Sequence, residues 1–195
     1  LGAQSEQLEN FSLLTSQVRV PPAIRAILSS DECRVNGFLA AGHVCTVMGY
    51  HEYRPLAEEF QTPIVVTGFE PVDLVQGMLM CIRQLRDGRC EVENPYKRSV
   101  SEAGNRPAQQ TLLKVFKPVD QAWRGIGVIP DSGLALRDTY AAFDAEKKFQ
   151  LESISSREET DCMSGLVLQG LKKPTDCPCF AGSCTPEHPL GATMV

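Results

Sequence analysis

The first half of the chain alternates short apolar runs with stretches in which apolar residues recur at helical spacing. The apolar runs at 11–16, 35–42 and 63–69 predict three buried strands. Helices are predicted after Pro22, between Tyr53 and Phe60, and between Asp73 and Arg86. Strands that are apolar on both faces and alternate with helices are typical of a parallel sheet. We therefore predict an α/β fold, in which helices flank a parallel sheet in the three-layer, Rossmann-like manner.

The helix predicted between Asp73 and Arg86 is amphipathic. Its apolar stripe contains Leu74, Met78, Cys81, Ile82 and Leu85. The pair Asp87 and Gly88 ends the pattern. Since Cys81 lies on the stripe, we interpret it as a small core residue.

The pattern changes beyond Gly88. Residues 94–100 indicate an extended segment with a basic edge, and a helix that contains Leu112 and Phe116 is predicted to end before Pro118. A strand-like run at 123–130, a helix at 140–149 and a polar surface connection at 151–161 follow. We place the domain boundary near residues 118–122. The α/β domain is then 1–120, and 121–195 is a smaller, Cys-rich, mostly helical or irregular region.

Three polar residues follow the second and third predicted strands. His43 comes after the second strand, and Glu70 and Asp73 come after the third. In an open parallel sheet the functional side chains lie at the carboxyl ends of the strands, so these residues are the candidate catalytic groups of one crevice. Structural roles remain open for two of them. Asp73 also suits a helix N-cap, and His43 also suits a core histidine bonded to a carbonyl group.

Charge and hydropathy exclude two classes of partner. The net charge is −5, and no basic stripe is present that would neutralise phosphates, so we expect no nucleic acid partner. No apolar run approaches the roughly 20 residues that a membrane helix needs, so we expect no membrane partner either. The first residues lack a signal peptide and a Met, and we expect a piece of a longer cytoplasmic protein.

Four of the eight cysteines lie in one Gly- and Pro-rich segment near the end of the chain, spaced Cys-x14-Cys-x-Cys-x4-Cys from Cys162 to Cys184. Thiolates on such turns bind iron-sulfur clusters or zinc. The spacing matches neither a ferredoxin run nor paired zinc knuckles, so disulfides and unligated thiols stay open as alternatives. A nucleophilic pair of Cys45 with His43 is a weaker alternative, because nothing in the sequence would orient the imidazole.

Several motifs resemble one known family and occur in its order through nearly the whole chain. They are Gly42-His43-Val44, Gly68-Phe69-Glu70-Pro71 with Asp73, Asn94-x-Tyr96-x-Arg98, Gly104-Asn105, Trp123-Arg124-Gly125-Ile126-Gly127, Phe143-Asp144-Ala145, Cys177, Cys184-Thr185-Pro186, Pro189-x-Gly191 and Met194-Val195. The sequence is similar to the HypD type of NiFe-hydrogenase maturation protein.

The resemblance implies a cofactor and its ligands. Proteins of this family hold a four-iron four-sulfur cluster on four cysteines, and Cys162, Cys177 and Cys184 match three of them. The fourth would lie beyond Val195, and Cys179 is a candidate substitute ligand. The chain is expected to be the second of two α/β domains followed by most of the cluster region.

The resemblance also implies a function. The family provides a scaffold on which iron with cyanide and carbon monoxide ligands, the Fe(CN)2CO group, is assembled, with electrons relayed by the cluster. Its partners are a HypC-type chaperone and a HypE-type cyanide donor. We expect His43, Glu70 and Asp73 to line the cleft, where they move protons or bond to cyanide nitrogen. The family's N-terminal cysteine motifs do not occur here, so this chain alone is expected to be inactive.

Three other functions stay open at this point. A structural zinc site would make the cysteine segment an interaction module. A small-molecule enzyme of the α/β class would use His43 and Glu70, although no cofactor fingerprint supports it. An assembly protein without chemistry of its own would need none of the cysteines. We expect a metallocluster scaffold with redox chemistry rather than a turnover enzyme.

Overall fold

The computed structural model describes residues 1–123, 126–151 and 161–190. Three predictions extend outside these residues: Arg124 and Gly125 of the strand-like run, residues 152–160 of the surface connection, and residues 191–195 of the last motifs. Contacts divide the chain into two compact units. The sheet unit is Ile24–Thr111, and the hairpin unit is Leu1–Ala23 with Leu112–Val195.

The sheet unit is built on a parallel sheet. Its strands are β1 (Phe38–Ala41), β2 (Ile64–Thr67) and β3 (Val92–Glu93), in the order β1-β2-β3. Phe38 pairs with Ile64 and Ile64 with Val92, and β2 is buried along its whole length. The α/β fold predicted from the apolar runs is confirmed, with helices packed against a parallel sheet.

Helices follow the strands of this sheet, and others belong to the hairpin unit. The α-helices of the chain are α1 (Gly2–Ser5), α2 (Val20–Leu28), α3 (Gly42–Met48), α4 (Tyr53–Glu59), α5 (Pro71–Arg86), α6 (Arg106–Val115), α7 (Ala145–Lys148) and α8 (Ser164–Leu168). The predicted helices after Pro22, at 53–60 and at 73–86 correspond to α2, α4 and α5. Pro71 occupies the first turn of α5, where its missing N–H leaves no bond unmade. Within the described residues, no helix is long and apolar enough to cross a membrane.

The hairpin unit contains an antiparallel pair that the sequence did not predict. Strands β4 (Phe116–Trp123) and β5 (Gly127–Leu136) pair Phe116 with Leu136 and Trp123 with Gly127. The strand-like run predicted at 123–130 is therefore wrong as a single strand, since it joins the end of β4 to the start of β5. The predicted boundary at 118–122 lies inside β4, and the division into domains at residue 120 stays a prediction.

Two further predictions in this unit differ from the structure. The apolar run at 11–16 forms only one bridge, between Leu13 and Asp144, instead of a strand. The helix predicted at 140–149 is split into a 3-10 helix, Asp138–Phe143, and α7. Asp144 separates them because its side chain accepts hydrogen bonds from the amides of Glu146 and Lys147, which caps α7. Pro174–Asp176 is also a 3-10 helix.

Helix α5 packs on the sheet with a side that the sequence pattern did not indicate. Its buried residues are Asp73, Gly77, Cys81 and Gln84. Of the predicted apolar stripe only Cys81 is buried, whereas Ile82 is 62% exposed, and Val72, outside the stripe, is 76% exposed. Close packing explains the difference, because a side chain at Gly77 would collide with the Thr67 side chain of β2. The helix approaches β2 through its small residues and leaves its large apolar residues outside.

Gln84 connects α5 to β3 and the residue before it by two hydrogen bonds. Its Nε2 donates to Glu93 Oε2 at 2.9 Å, and its Oε1 accepts from the Glu91 amide at 2.8 Å. The side chain is fully buried. A polar residue is stable at this depth because both of its polar ends are bonded.

Replacing Gln84 by Leu is expected to lower the free energy of unfolding by about 1–3 kcal/mol, since the Glu91 amide then loses its partner. Gln76→Leu is the matched control, because Gln76 is exposed on the same helix and should change stability by less than about 0.5 kcal/mol. Urea unfolding followed by circular dichroism measures both. Equal stabilities of the two variants would show that the Gln84 bonds do not fasten the helix.

Candidate functional site

The carboxyl ends of the three parallel strands converge on one edge of the sheet unit. Gly42 and His43 begin α3 directly after β1. Gly68, Phe69 and Glu70 lie between β2 and α5. Tyr96 and Arg98 lie in the loop after β3. This edge is where an α/β sheet places its functional groups.

Two glycines at this edge are required by the close approach of the Tyr96 ring, together with the Thr67 carbonyl oxygen at Gly42 and the Asp73 carboxylate at Gly68. A Cβ atom on Gly42 would lie 2.6 Å from Tyr96 Cδ1, and one on Gly68 would lie 2.8 Å from Tyr96 Cε2. Both distances are shorter than real Cβ contacts, so a side chain at either position would displace the ring. The glycines therefore admit an aromatic side chain of the protein itself.

Asp73 and Arg98 form a two-pronged ion pair at this edge. Arg98 Nη1 donates to Asp73 Oδ1 at 2.8 Å, and Arg98 Nη2 donates to Asp73 Oδ2. The guanidinium also stacks over the Tyr96 ring, 4.3 Å from its centroid. The hydrogen bonds from Arg98 lower the pKa of Asp73, and the positive charge acts in the same direction, outweighing the opposite effect of burial. Asp73 is therefore a carboxylate at neutral pH.

The three predicted site residues have different surroundings. Asp73 lies in the first turn of α5, but it is not the N-cap residue. Glu70 holds the N-cap position without a capping bond from its side chain, and its carboxylate is exposed. His43 is also exposed, so it is not a core histidine, and its ring lies 5.1 Å from the Phe69 ring. Glu70 and His43 thus offer accessible groups, whereas Asp73 is bound to Arg98.

Arg98 and Tyr96 are site residues that the sequence reasoning did not select. They occur in the motif Asn94-x-Tyr96-x-Arg98, which contributes to the family resemblance but by itself indicates no role for either residue. The strand before them, β3, has two residues, too few to give a periodic pattern. The sequence signal that could have identified these two residues is the motif itself, in which an aromatic residue and an arginine lie two positions apart.

The thiol of Cys45 is not arranged as a nucleophile. It is buried and lies two residues after His43 in α3. Burial raises its pKa to about 11, although its hydrogen bond with Tyr53 acts in the opposite direction. Since the thiolate is the reactive form of cysteine, a thiol with this pKa is inert near neutral pH. Cys81 is a buried core residue, as predicted, and burial raises its pKa too.

The cysteine segment surrounds Cys177 with hydrogen-bond donors. The backbone amides of Met163 and Cys179 are the leading donors to its sulfur and lower its pKa; the thiol of Cys179 also contributes. The Met163 amide brings the chain beside Cys162 to Cys177 across the 14-residue spacing. Such donors stabilise a thiolate, the form in which cysteine binds iron or zinc.

The other two cysteines of the segment are buried. A hydrogen bond from Ser183 acts to lower the pKa of Cys179, but burial and the neighbouring Cys177 outweigh it, so that pKa is raised. The backbone amide of Cys184 donates to the Cys179 carbonyl group at 2.8 Å, and the Cys184 sulfur accepts from the Leu190 amide at 3.4 Å. These bonds hold residues 179–190 in a tight turn.

The cysteine segment has only some of the features that a metal centre needs. Among residues 1–123, 126–151 and 161–190, no three His, Cys, Asp or Glu side chains converge closely enough to hold a metal ion. Cys162, Cys177 and Cys184 therefore do not form a complete ligand set as described, although the surroundings of Cys177 suit a thiolate ligand.

Comparison with known proteins gives consistent matches. A family profile described as "HypD: Hydrogenase formation hypA family" matches residues 1–195. The chain is 42% identical to hydrogenase maturation factor HypD1 of Bradyrhizobium diazoefficiens, over 99% of this chain and 53% of that protein. It is 43% identical to hydrogenase maturation factor HypD of Rhizobium leguminosarum bv. viciae, over 100% and 52% respectively. The chain spans about half the length of the curated relatives that it matches.

Replacing Arg98 by Gln is expected to raise the pKa of Asp73, because the hydrogen bonds and the charge that lower it are lost while burial still raises it. Because the folded pKa of Asp73 is depressed, the ion pair stabilises the fold above the unfolded pKa, and this contribution is lost as the pH falls through the folded pKa. The stability difference between the parent and Arg98→Gln should therefore be full at neutral pH and shrink below about pH 4. NMR titration of the Asp73 carboxyl carbon and urea unfolding measure both effects.

Lys97→Gln is the control for this prediction. Lys97 precedes Arg98, but it is not among the groups that shift the pKa of Asp73. Its removal should leave the Asp73 titration unchanged. The assignment of the low pKa to Arg98 would be wrong if Lys97→Gln moved the titration as far as Arg98→Gln did.

Proposed function

This chain belongs to the HypD family of hydrogenase maturation proteins, and from that premise we propose that it forms part of the scaffold on which the Fe(CN)2CO group of NiFe hydrogenases is assembled. The observation that carries the proposal is the family match over residues 1–195. The relatives named as hydrogenase maturation factors cover 99–100% of the chain at 42–43% identity, which supports it. The proposed location is the cytoplasm, and the proposed partners are a HypC-type chaperone and a HypE-type cyanide donor.

The side chains of the sheet edge suit different parts of this work. Asp73 is bound to Arg98 through both oxygens and has a lowered pKa, so it is a poor proton carrier and a good anchor for the guanidinium. Arg98 keeps further N–H groups beyond the two that Asp73 accepts. We assign Arg98 to holding a negatively charged cyanide ligand of the cargo iron, in a position fixed by Asp73 and Tyr96.

Proton transfer is assigned to the exposed groups. Glu70 and His43 are both exposed at the carboxyl edge, and neither is bound in an ion pair within the described residues. A carboxylate and an imidazole are the side chains that most often move protons in proteins. This refines the expectation from the sequence, in which Asp73 shared the same role.

The cysteine segment is assigned to a four-iron four-sulfur cluster. Such a cluster supplies electrons for reductive chemistry. The donors around the Cys177 sulfur support a thiolate ligand at that position, and Cys162 and Cys184 are proposed as further ligands from the family resemblance alone. Ligation by Cys179 is less favoured, because its pKa is raised and the thiolate is the form that binds iron. The hydrogen bond from Ser183 acts to lower this pKa, but burial and the neighbouring Cys177 outweigh it.

A chimera tests the proposed function. The matching half of the Rhizobium leguminosarum HypD is replaced by this chain and expressed in a strain that lacks its own HypD gene. Hydrogenase activity should be restored, since the two sequences are 43% identical over that half. In the chimera, Glu70→Gln is expected to lower maturation about a hundredfold, the lower limit for loss of a proton-transfer group.

The matched control is Glu58→Gln, because Glu58 is an exposed glutamate on α4 of the same sheet unit. It should leave maturation unchanged. Equal hydrogenase activities with Glu70→Gln and Glu58→Gln would refute the proton-transfer role of Glu70. A chimera that folds but restores no activity would count against the scaffold role of the chain.

Metal analysis of the same chimera, purified anaerobically, tests the cluster. It should contain iron and acid-labile sulfide in equal amounts, about four of each per protein. Cys177→Ser should remove most of both, because Cys177 is the assigned thiolate ligand, whereas Cys90→Ser, outside the segment, should remove neither. Stoichiometric zinc without sulfide would instead support a structural zinc site.

A further inference from the structure

A cavity of about 650 Å³ opens in the sheet unit beside the candidate site. It is lined by Thr46, by eight residues of the loop between residues 97 and 105, and by Arg106 and Pro107 in the first turn of α6. Arg98 belongs both to this lining and to the ion pair with Asp73. The cavity is wide open to solvent, and its volume is within the range of small-molecule sites, roughly 300–1,000 Å³.

The charge of the lining has one sign. Lys97, Arg98 and Arg106 line the cavity, and no Asp or Glu does. This concentration of positive charge is unusual for a chain whose net charge is −5. The acidic residue of the loop, Glu102, is outside the lining because it accepts a hydrogen bond from Arg54 at 2.7 Å.

Two of these cations are available to a ligand. Neither Lys97 nor Arg106 forms an ion pair or a side-chain hydrogen bond within the part of the chain that the structure describes. Like charges gathered without a counter-ion repel one another and are stabilised by an anion. The Ser99 hydroxyl adds an uncharged donor to the same lining, whereas the Ser101 hydroxyl donates to the Gly104 carbonyl group at 3.4 Å.

The loop is held in shape without a ligand. The Asn105 amide and Gln109 Nε2 both donate to the Val47 carbonyl group, at 2.9 Å and 2.8 Å. Gly104 has φ +63°, and a Cβ atom there would lie 2.7 Å from the backbone of Met48, so glycine is required. Donors that are fixed before binding lose little entropy when an anion binds.

The lining also restricts the kind of ligand. It contains no aromatic side chain on which a nucleobase would stack, and its apolar part is limited to small residues such as Val100, Ala103 and Pro107. Lysine, arginine and hydroxyl groups are the donors that recognise phosphate oxygens. We propose that this cavity binds a phosphate group, either free or as the ester of a small metabolite, independently of the maturation role.

Titration of the chain with inorganic phosphate at low ionic strength tests the proposal, with binding measured by calorimetry and by shifts of the Ser99, Ser101 and Asn105 amide resonances. Saturable binding is expected, and the Lys97→Ala/Arg106→Gln double variant should bind about a hundredfold more weakly, the loss expected for two charge-assisted hydrogen bonds. Arg98 is kept in all variants, because it belongs to the candidate site.

Two controls separate a specific site from general attraction. Lys114→Gln removes an exposed lysine of α6 that does not line the cavity, and it should leave phosphate binding unchanged. The charge-conserving variant Lys97→Arg/Arg106→Lys should retain binding, which shows that binding depends on the positive charges at these positions and tolerates their substitution. Ribose 5-phosphate is titrated in parallel. Tighter binding of the ester identifies an ester ligand, and equal binding identifies free phosphate.

The proposal is overturned by any of three results. Phosphate could produce no saturable shift of the three amides, the neutral double variant could bind as tightly as the parent, or Lys114→Gln could weaken binding as much as the double variant does. None of these results bears on hydrogenase maturation by the chimera, so the two proposals fail separately.

Discussion

The ion pair between Asp73 and Arg98 is the interaction on which the carboxyl edge of the sheet depends. It joins the first turn of α5 to the loop after β3, two segments that the sheet itself does not connect. The guanidinium covers the Tyr96 ring, and that ring fills the space left by Gly42 and Gly68. One arginine thus fixes the surroundings of all three strand ends, and a planar fork does this better than a lysine would.

Sequence patterns predicted the sheet unit well because its central strand β2 is buried on both faces and β1 is an apolar run. The apolar runs at 35–42 and 63–69 contain β1 and β2, and the edge that carries His43 and Glu70 followed from topology alone. Two-residue β3 was missed since so short a strand has no period. The hairpin of β4 and β5 was missed because Pro118 and the glycines near residue 127 resemble loop signals, while the pairing partner determines the strand.

Periodicity also could not decide which side of α5 faces the sheet. The sequence makes most of this helix apolar, and such a helix has more than one side that could be buried. Close contact of Gly77 with Thr67 selected the side with small residues, and two bonds of the buried Gln84 fixed it. The roles of Arg98 and Tyr96 were hidden for the same reason, because they depend on distances between segments that lie far apart in the chain.

The shared position of Arg98 has a physical consequence for the site and the cavity. Asp73 accepts from two N–H groups of the guanidinium, and the same side chain lines the cavity. An anion in the cavity would lie near the Arg98 guanidinium, whose charge Asp73 already partly neutralises. The Asp73 carboxylate and the bound anion therefore each weaken the attraction of Arg98 for the other. Such coupling is reciprocal: the factor by which protonation of Asp73 changes the affinity for the anion equals the factor by which the anion changes the proton affinity of Asp73. Protonation of Asp73 should therefore strengthen the cavity's hold on its ligand.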